Sequence, residues 1–186
     1  PDGVFVTAKP NLKNGTAEIE ISANILNRYF EEKSVWVEAE IKNSDGHTVS
    51  RLDRAVSIKG WDRAGFSDSE IINNVKLWDI DDPNLYSAKL RLYYNENVCD
   101  EYTLSFGIRD IRFNPDSGFY LNGKNIKIKG LCCHHDHAGM GIAVTKSVNE
   151  YRIQQMKSMG ANAIRSSHYP AAPELLDICD REGMLV

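Results

Sequence analysis

The fold of this chain is decided by residues 162–170, which read NAIRSSHYP. The stretch begins as a short apolar strand and ends in a cation, two hydroxyls, an imidazole and a phenol. Pro170 then stops the extended run, because proline has no backbone N–H and restricts the residue before it. Polar groups at the end of a buried strand are costly unless they are satisfied or used, and in parallel α/β folds ligands bind at that edge. The stretch therefore predicts a functional site.

The residues on either side predict alternating strands and helices. The strand–helix–strand–helix–strand order is typical of a parallel sheet or barrel. The expected elements are a hairpin at 119–124 turning at Asn122-Gly123, a strand at 126–129, a first helix, a strand at 161–165, a helix from Pro173 to Gly183, and a third strand starting at Met184. The first helix is expected to open with a capping box of Ser147 and Glu150, to close at Gly160, and to carry on its apolar face Val148, Tyr151, Met156 and Met159.

A complete eight-unit barrel takes ~250 residues. Residues 109–186 are far fewer. We therefore expect them to form the first strand–helix units of a truncated (β/α)8 barrel, and we expect the chain to be a fragment of a longer protein.

Residues 1–108 follow a different pattern, in which apolar and polar residues alternate. Residues 17–25, 35–41 and 86–94 each place apolar side chains at every second position, and turn signals such as Lys13-Asn14-Gly15 separate them. About seven short strands over roughly a hundred residues fit an immunoglobulin-like β-sandwich. The predicted fold class is mixed: this antiparallel sandwich, then the barrel units from residue 109.

Composition narrows the functional classes. The 186 residues carry a net charge of −4, which argues against nucleic acid as a partner. No apolar run approaches the ~20 residues of a membrane span. The opening residues PDG do not start a signal peptide, so we expect a soluble protein that is cytoplasmic, or periplasmic or secreted after its signal is removed. The four cysteines form no CxxC pair and are read as reduced thiols.

Residues 131–137, LCCHHDH, also follow a predicted strand, so their polar groups are expected at the same edge as residues 165–169. Neutral imidazoles of His134 and His168 suit sugar hydroxyls, because each ring offers one donor and one acceptor. Arg165 can orient a carboxylate and lower its pKa, or it can form a buried ion pair that only closes the mouth of the barrel. Asp136, Tyr169 and Asn162 are further candidates.

A metal site built from His134, Asp136 and His168 is an alternative, because imidazole and carboxylate suit zinc or iron. Adjacent residues of an extended chain point to opposite sides, however, so at most two of the four polar residues at 134–137 can converge. Helical His-x-x-x-His spacing is also absent. We therefore predict no metal site in this chain.

Glycoside hydrolysis uses two carboxylates, one as acid/base and one as nucleophile or base. No convincing pair appears here. Asp136 is the only acidic side chain near both strand ends, and Glu174 and Asp177 are expected to face solvent from the second helix. We therefore do not expect these residues to supply the two carboxylates that hydrolysis needs.

The chain resembles glycoside hydrolase family 2, which contains β-galactosidases, β-glucuronidases and β-mannosidases. The resemblance rests on NAIRSSHYP at 162–170 with the spacing to Leu175-Leu176, Asp180 and Gly183, and on LW at 77–78 and DPNLY at 82–86. It also rests on GIR at 107–109, FYLNGK at 119–124, KGL at 129–131 and HHD at 134–136. It covers almost the whole chain.

The resemblance implies a retaining mechanism with a glutamate acid/base and a glutamate nucleophile, both beyond Val186, so no catalytic residue is expected in this fragment. It implies that His134 and His168 contact the sugar and support the transition state, and that Arg165 neighbours the nucleophile. Some members hold magnesium or sodium near the site, but their ligands cannot be placed on this chain. We expect no cofactor in the fragment itself.

We interpret the chain as part of a β-galactosidase acting on terminal non-reducing β-D-galactosides, and we expect the fragment to be inactive. β-Glucuronidase and β-mannosidase are alternatives within the family. Another is a non-catalytic carbohydrate-binding or scaffold module, which predicts exposed aromatic residues on the sandwich; Trp36, Trp61 and Trp78 are instead expected to be packed in the core or between domains. Self-association through the truncated barrel is also expected, because missing strands leave sheet edges and apolar faces uncovered.

Overall fold

The structure, a computed structural model, describes residues 3–186 and divides into two compact units. The sandwich unit contains residues up to Lys76 together with Leu85–Ile108, and the strand–helix unit contains Leu77–Asn84 and Arg109–Val186. This differs from the predicted division at residue 108 in one respect, because residues 77–84 belong to the second unit.

The sandwich unit is built from seven strands in two antiparallel sheets. The strands are β1 (Val4–Asn11), β2 (Thr16–Leu26), β3 (Lys33–Lys42), β4 (Thr48–Ile58), β5 (Arg63–Asn73), β6 (Leu85–Tyr94) and β7 (Asn97–Gly107). One sheet has the order β1-β2-β5 and the other β4-β3-β6-β7. The predicted alternation is present: Ala17, Ile19 and Ile21 of β2 and Val37, Ala39 and Ile41 of β3 are all buried.

The prediction that all three tryptophans are packed is wrong for two of them. Trp36 is 47% exposed because it lies between Val35 and Val37, whose side chains take the inward positions of β3. Trp61 is 61% exposed and lies in the turn after β4 with a φ of 54°. Only Trp78 is fully buried.

The strand–helix unit begins with a small antiparallel sheet and continues into parallel strands and helices. Its elements are β8 (Ile111–Asn114), β9 (Gly118–Leu121), β10 (Lys124–Asn125), β11 (Gly130–His134), α1 (Lys146–Ser158), β12 (Ala163–Ser167) and α2 (Pro173–Glu182). The predicted hairpin is confirmed: Asn122 and Gly123 both have positive φ, as a two-residue turn between β9 and β10 requires.

The two parallel strands lie further along the chain than the sequence pattern predicted. The strand expected at 126–129 is found at Gly130–His134, and the one expected at 161–165 is found at Ala163–Ser167. Residues 126–129 have the apolar alternation of a strand but form none: the Ile126 N–H donates to the Phe119 carbonyl, and the Lys129 carbonyl accepts the Ala163 N–H. The third strand is represented by a parallel bridge between Ala163 and Leu185, in which the Ile164 N–H donates to the Leu185 carbonyl at 2.8 Å.

Helix α1 departs from the prediction at its start. Its N-cap is Thr145, which makes no side-chain bond to the backbone, so the capping box of Ser147 and Glu150 is not formed. Its buried residues are Asn149 and Ile153. Tyr151 and Met159, which were assigned to the apolar face, are 61% and 70% exposed. Val148 and Met156, the other two residues assigned to that face, are half-buried, and Met156 packs against the core cluster.

The C-terminal ends of both helices and the start of α2 follow the prediction. Gly160 has a φ of 86°, and the Ala161 N–H donates to the Met156 carbonyl while the Gly160 N–H donates to the Lys157 carbonyl, which is a Schellman motif. Pro173 opens α2, and Gly183 closes it in the left-handed region.

No helix formed by residues 3–186 is long and apolar enough to cross a membrane.

Trp78 explains why residues 77–84 belong to the strand–helix unit. Its indole Nε1–H donates to the Asp180 carbonyl at 2.7 Å, and Asn122 Nδ2 donates to the Trp78 carbonyl at 2.9 Å. The Arg109 guanidinium lies 4.7 Å from its ring centroid. Asp180 is in the last turn of α2, where carbonyls have no partner within the helix, so the indole caps the helix from outside.

Replacing the indole should loosen α2. The variant Trp78→Phe keeps an aromatic ring but leaves the Asp180 carbonyl without its donor, which we expect to cost about 1–3 kcal/mol in the opening free energy of α2. Amide hydrogen exchange of the α2 residues measures this directly. The exposed Trp36 provides the matched control, since Trp36→Phe should change exchange in α2 by about 0.5 kcal/mol or less. Equal effects of the two variants would contradict the capping role.

Candidate functional site

The pairing of β11 with β12 places four polar side chains on one face of the parallel strands. The register sets Cys132 opposite Arg165 and His134 opposite Ser167. Successive side chains of a strand alternate between faces, so these four share a face. The other face is apolar: Cys133 and Ile164 are buried in a cluster with side chains of α1 and α2. The site therefore lies on the side of the strands away from the helices.

The two histidines that were predicted to act together lie side by side. The rings of His134 and His168 have centroids 5.7 Å apart and are nearly perpendicular, at 82°. His134 is the last residue of β11, and His168 directly follows β12, so the parallel pairing brings them together. Both side chains are exposed. Arg152 of α1 holds the strand end by donating to the His134 carbonyl at 3.0 Å. Two imidazoles can thus face one ligand.

Arg165 does not form the ion pair that was considered as its structural role. Its Nη1 lies 3.9 Å from Cys132 Sγ and 3.3 Å from Ser167 Oγ. No carboxylate oxygen of residues 3–186 lies within 4.0 Å of the guanidinium. The guanidinium is exposed, so its charge remains available to an anionic group. A guanidinium can bind a carboxylate through two parallel hydrogen bonds.

The sequence analysis missed a set of contacts made by Ser166 and His135. Ser166 Oγ donates to the Tyr169 carbonyl at 2.7 Å, and His135 Nε2 lies 3.3 Å from the same hydroxyl. The rings of His135 and Tyr169 meet edge to face with centroids 5.6 Å apart. These contacts bend residues 168–169 back over the end of β12. The bond from Ser166 to Tyr169 joins residues three apart, whereas the contacts of His135 with Ser166 and Tyr169 depend on the pairing of β11 with β12 and have no signal in the sequence.

Asn162 lies away from the histidines and ties down the backbone before β11. Its Nδ2 donates to the Lys127 carbonyl at 3.0 Å, and its Oδ1 accepts the Lys129 N–H at 2.7 Å. It precedes β12, at the opposite strand end from His168. Its observed contacts are therefore with backbone rather than with the candidate site. Asp136 and Tyr169 are exposed beyond the strand ends, where a ligand can reach them.

The metal site that was considered as an alternative is not formed by a group of three ligands. In the part of the chain that the structure describes, no group of three or more histidine, cysteine or acidic side chains is arranged to hold an ion. His134, Asp136 and His168 therefore do not form a ligand set by themselves.

Cys132 and Cys179 differ in their electrostatic surroundings. The hydrogen bond from Arg165, followed by that from Ser167, lowers the pKa of the Cys132 thiol. Burial, with a smaller contribution from the neighbouring Asp180 carboxyl, raises the pKa of the Cys179 thiol to about 12. The candidate site is thus a cationic environment, whereas the helix-covered face is apolar.

Removing the Ser166 hydroxyl should free the loop that carries His168 and Tyr169. In Ser166→Ala the Tyr169 carbonyl loses its donor, so we expect NMR order parameters of residues 168–169 to fall below ~0.6, the range of flexible backbone. Ser158→Ala is the matched control, because Ser158 makes a similar bond to the Gln155 carbonyl outside the site. Unchanged order parameters in Ser166→Ala would show that the bond does not hold the loop.

Two family models and a solved structure match this chain. The family model described as "Glycosyl hydrolases family 2" matches residues 3–109, and the model for the TIM barrel domain of the same family matches residues 114–186. A crystal structure of a glycosyl hydrolase family 2 member from Bacteroides cellulosilyticus superposes with a TM-score of 0.92 at 36% identity. The match covers 98% of this chain and 25% of that one.

Curated relatives extend the match along the chain. The β-galactosidase BoGH2A of Bacteroides ovatus is 34% identical over 184 residues, covering 99% of this chain and 22% of the relative. The β-glucuronidase of Bacteroides fragilis is 30% identical over 191 residues, covering 100% of this chain and 25% of the relative. The chain thus spans about a quarter of the length of these relatives. Together, the two family models and the continuous similarity show that the chain belongs to family 2 of the glycosyl hydrolases.

Proposed function

We propose that this chain is part of a retaining β-glycosidase that hydrolyses terminal non-reducing β-D-galactosides. The observation that carries the proposal is the parallel register of β11 and β12, which brings His134, Arg165 and the neighbouring His168 to one strand end in a chain of this family. That edge is where barrel enzymes bind their substrates. The strand–helix unit then supplies the first two strands of a barrel, with Leu185 in the third.

The sandwich is proposed to be of the immunoglobulin-like type. Its antiparallel sheets of three and four strands, in the orders β1-β2-β5 and β4-β3-β6-β7, support this. In this interpretation the sandwich is an accessory domain and carries none of the reacting groups.

The residues of this chain bind and orient the substrate rather than break the glycosidic bond. The imidazoles of His134 and His168 are proposed to hydrogen-bond sugar hydroxyls, each through one donor and one acceptor nitrogen. Arg165 has no carboxylate partner among residues 3–186, so it is proposed to pair with a carboxylate supplied by a later strand and to keep it ionised. Retaining hydrolysis needs two carboxyl groups ~5–5.5 Å apart.

The sugar is the least constrained part of the proposal. Relatives of similar identity are named β-galactosidase and β-glucuronidase, so a β-glucuronide is the main alternative and a β-mannoside the next.

A non-catalytic carbohydrate-binding role is a second candidate, and exposed aromatic side chains on the sandwich favour it. Phe30 and Trp61 are 87% and 61% exposed, and their rings meet edge to face with centroids 5.6 Å apart. Phe30 lies in the loop after β2 and Trp61 in the loop after β4. Asn27 holds these two loops together, because its side-chain amide Nδ2 donates to the carbonyls of Glu31, Ile58 and Lys59. Aromatic rings held in this way can stack on the apolar faces of sugars.

The strand–helix unit also exposes apolar side chains, which supports the proposal that it associates with further strands or with a second copy. Phe113 is 73% exposed, Val186 60% and Ile128 47%. They line a cavity of about 540 Å³ together with Ile111 and Leu176. A patch of this kind on a soluble protein usually marks an interaction surface.

The function is tested by extending the chain through a complete barrel and assaying it beside the 186-residue chain. Chromogenic β-galactoside, β-glucuronide and β-mannoside are the substrates. We expect the extended protein to hydrolyse the galactoside best, and the 186-residue chain to hydrolyse none, because it lacks a carboxylate pair.

The outcomes separate the candidates. Preference for the glucuronide would keep the glycosidase proposal and change its sugar. Robust hydrolysis by the 186-residue chain would overturn the assignment of the reacting groups to later strands. A well-folded extended protein that hydrolyses none of the three sugars would favour the binding module.

A further inference from the structure

His135 makes its contacts behind the candidate sugar site, on the side of the parallel strands that faces the helices. Ser166 lies on that side, because it pairs with Cys133, whose side chain belongs to the buried cluster beneath α1 and α2. His135 directly follows β11, and its half-buried ring places Nε2 3.3 Å from the Ser166 hydroxyl. The chain after β11 is therefore joined to β12 from the rear.

The hydrogen bonds of the Ser166 hydroxyl fix the tautomer of His135. The hydroxyl has one proton, which it donates to the Tyr169 carbonyl at 2.7 Å, and a carbonyl can only accept. Because that proton is already used, His135 Nε2 must carry the ring proton and donate it to a lone pair of Ser166 Oγ. The hydrogen bonds thus run in one direction, from His135 through Ser166 to the backbone of Tyr169.

The residues around His168 are held by a second contact as well. The rings of His135 and Tyr169 meet edge to face with centroids 5.6 Å apart, a favourable arrangement for two aromatic rings. His168 lies between Ser166 and Tyr169 in the chain, and its own ring meets that of His134 at 5.7 Å. Two consecutive residues after β12 therefore contact two consecutive residues at the end of β11.

We propose that His135 is a positioning residue for His168. Its imidazole fixes the path of the chain after β12, through Ser166 and Tyr169, and so keeps the His168 ring beside that of His134. The effect on catalysis rests on the proposed function, whereas the positioning itself depends only on contacts within this chain. It matters for a rate, because a misplacement of about 1 Å can lower one about a hundredfold.

The first test is NMR of the 186-residue chain with isotope-labelled histidine, at a pH above the ordinary titration range of imidazole. We expect a proton on Nε2 of His135 and none on Nδ1, together with a nuclear Overhauser contact between the rings of His134 and His168. In His135→Leu the ring contact should disappear, because Ser166 loses its donor and Tyr169 its ring partner. The indole N–H signal of Trp78, which is bonded to the Asp180 carbonyl, shows that the unit remains folded.

Two variants separate positioning from a general loss of packing. His135→Gln keeps an N–H donor for the Ser166 hydroxyl and should restore the contact between the rings of His134 and His168. His137→Leu is the matched control, because it replaces an imidazole of the same loop, in the turn closed by Gly141, and should leave that contact unchanged. Persistence of the ring contact in His135→Leu, or a proton on Nδ1 of His135 instead of Nε2, would overturn the proposal.

The second test is kinetic and uses the chain extended through a complete barrel. His135→Leu should lower kcat about ten- to a hundredfold with little change in KM, because His168 is proposed to support the transition state, and His135→Gln should recover most of the loss. Combining His135→Leu with Ser166→Ala should cost no more than the stronger single variant, since both act through Tyr169.

Additive losses in the double variant would contradict the proposal, because they would mean that His135 acts by a route other than Ser166 and Tyr169. If the extended protein hydrolyses none of the three sugars, the proposed function fails, and the NMR result alone decides the role of His135.

Discussion

The candidate site depends on one constraint, the parallel register between β11 and β12. Five consecutive pairs, from Gly130 opposite Ala163 to His134 opposite Ser167, fix which side chains share a face. A slip of one residue would move His134 to the apolar face and bring Cys133 out of the cluster beneath the helices. The cost of exposing that cluster and burying a histidine keeps the register in place. The chemistry of the face is therefore a consequence of the packing behind it.

The helices behind the strands are in turn held at their ends. Trp78 caps the Asp180 carbonyl of α2, and Lys157 Nζ donates both to the Ile80 carbonyl at 2.9 Å and to the Glu182 carbonyl. Gly183 leaves no room for a side chain, since a Cβ there would lie 2.1 Å from the Ile80 carbonyl oxygen. Residues 77–84 are thus fastened to the strand–helix unit through backbone carbonyls, although the chain before and after them belongs to the sandwich unit.

Elements whose signals are local could be predicted from the sequence. The alternation of Ala17, Ile19 and Ile21 with polar residues predicted β2. The dipeptide Asn122-Gly123 predicted the hairpin turn, and Pro173 and Gly183 predicted where α2 begins and ends. Each of these signals acts through backbone conformation or side-chain period within a few residues.

Elements that depend on pairing could not be placed so well. Residues 126–129 have the apolar alternation of a strand, but the segment that pairs with β12 is 130–134, and no local pattern shows this shift. The contact of Ser166 with His135, and that of Cys132 with Arg165, likewise cannot be predicted without the register. The histidine pair was predicted because parallel strands bring their carboxyl ends to one edge, whatever the register.

The most direct test of the account is the kcat/KM of the extended enzyme when the two histidines are replaced one at a time. Because both imidazoles are proposed to contact the sugar in the transition state, His134→Ala and His168→Ala should each lower kcat/KM about a hundredfold, as loss of a transition-state hydrogen-bond donor does. His137→Ala is the control, because His137 lies in the turn closed by its backbone bond to Gly141. Losses no greater than that of His137→Ala would contradict the claim that this face binds the reacting sugar.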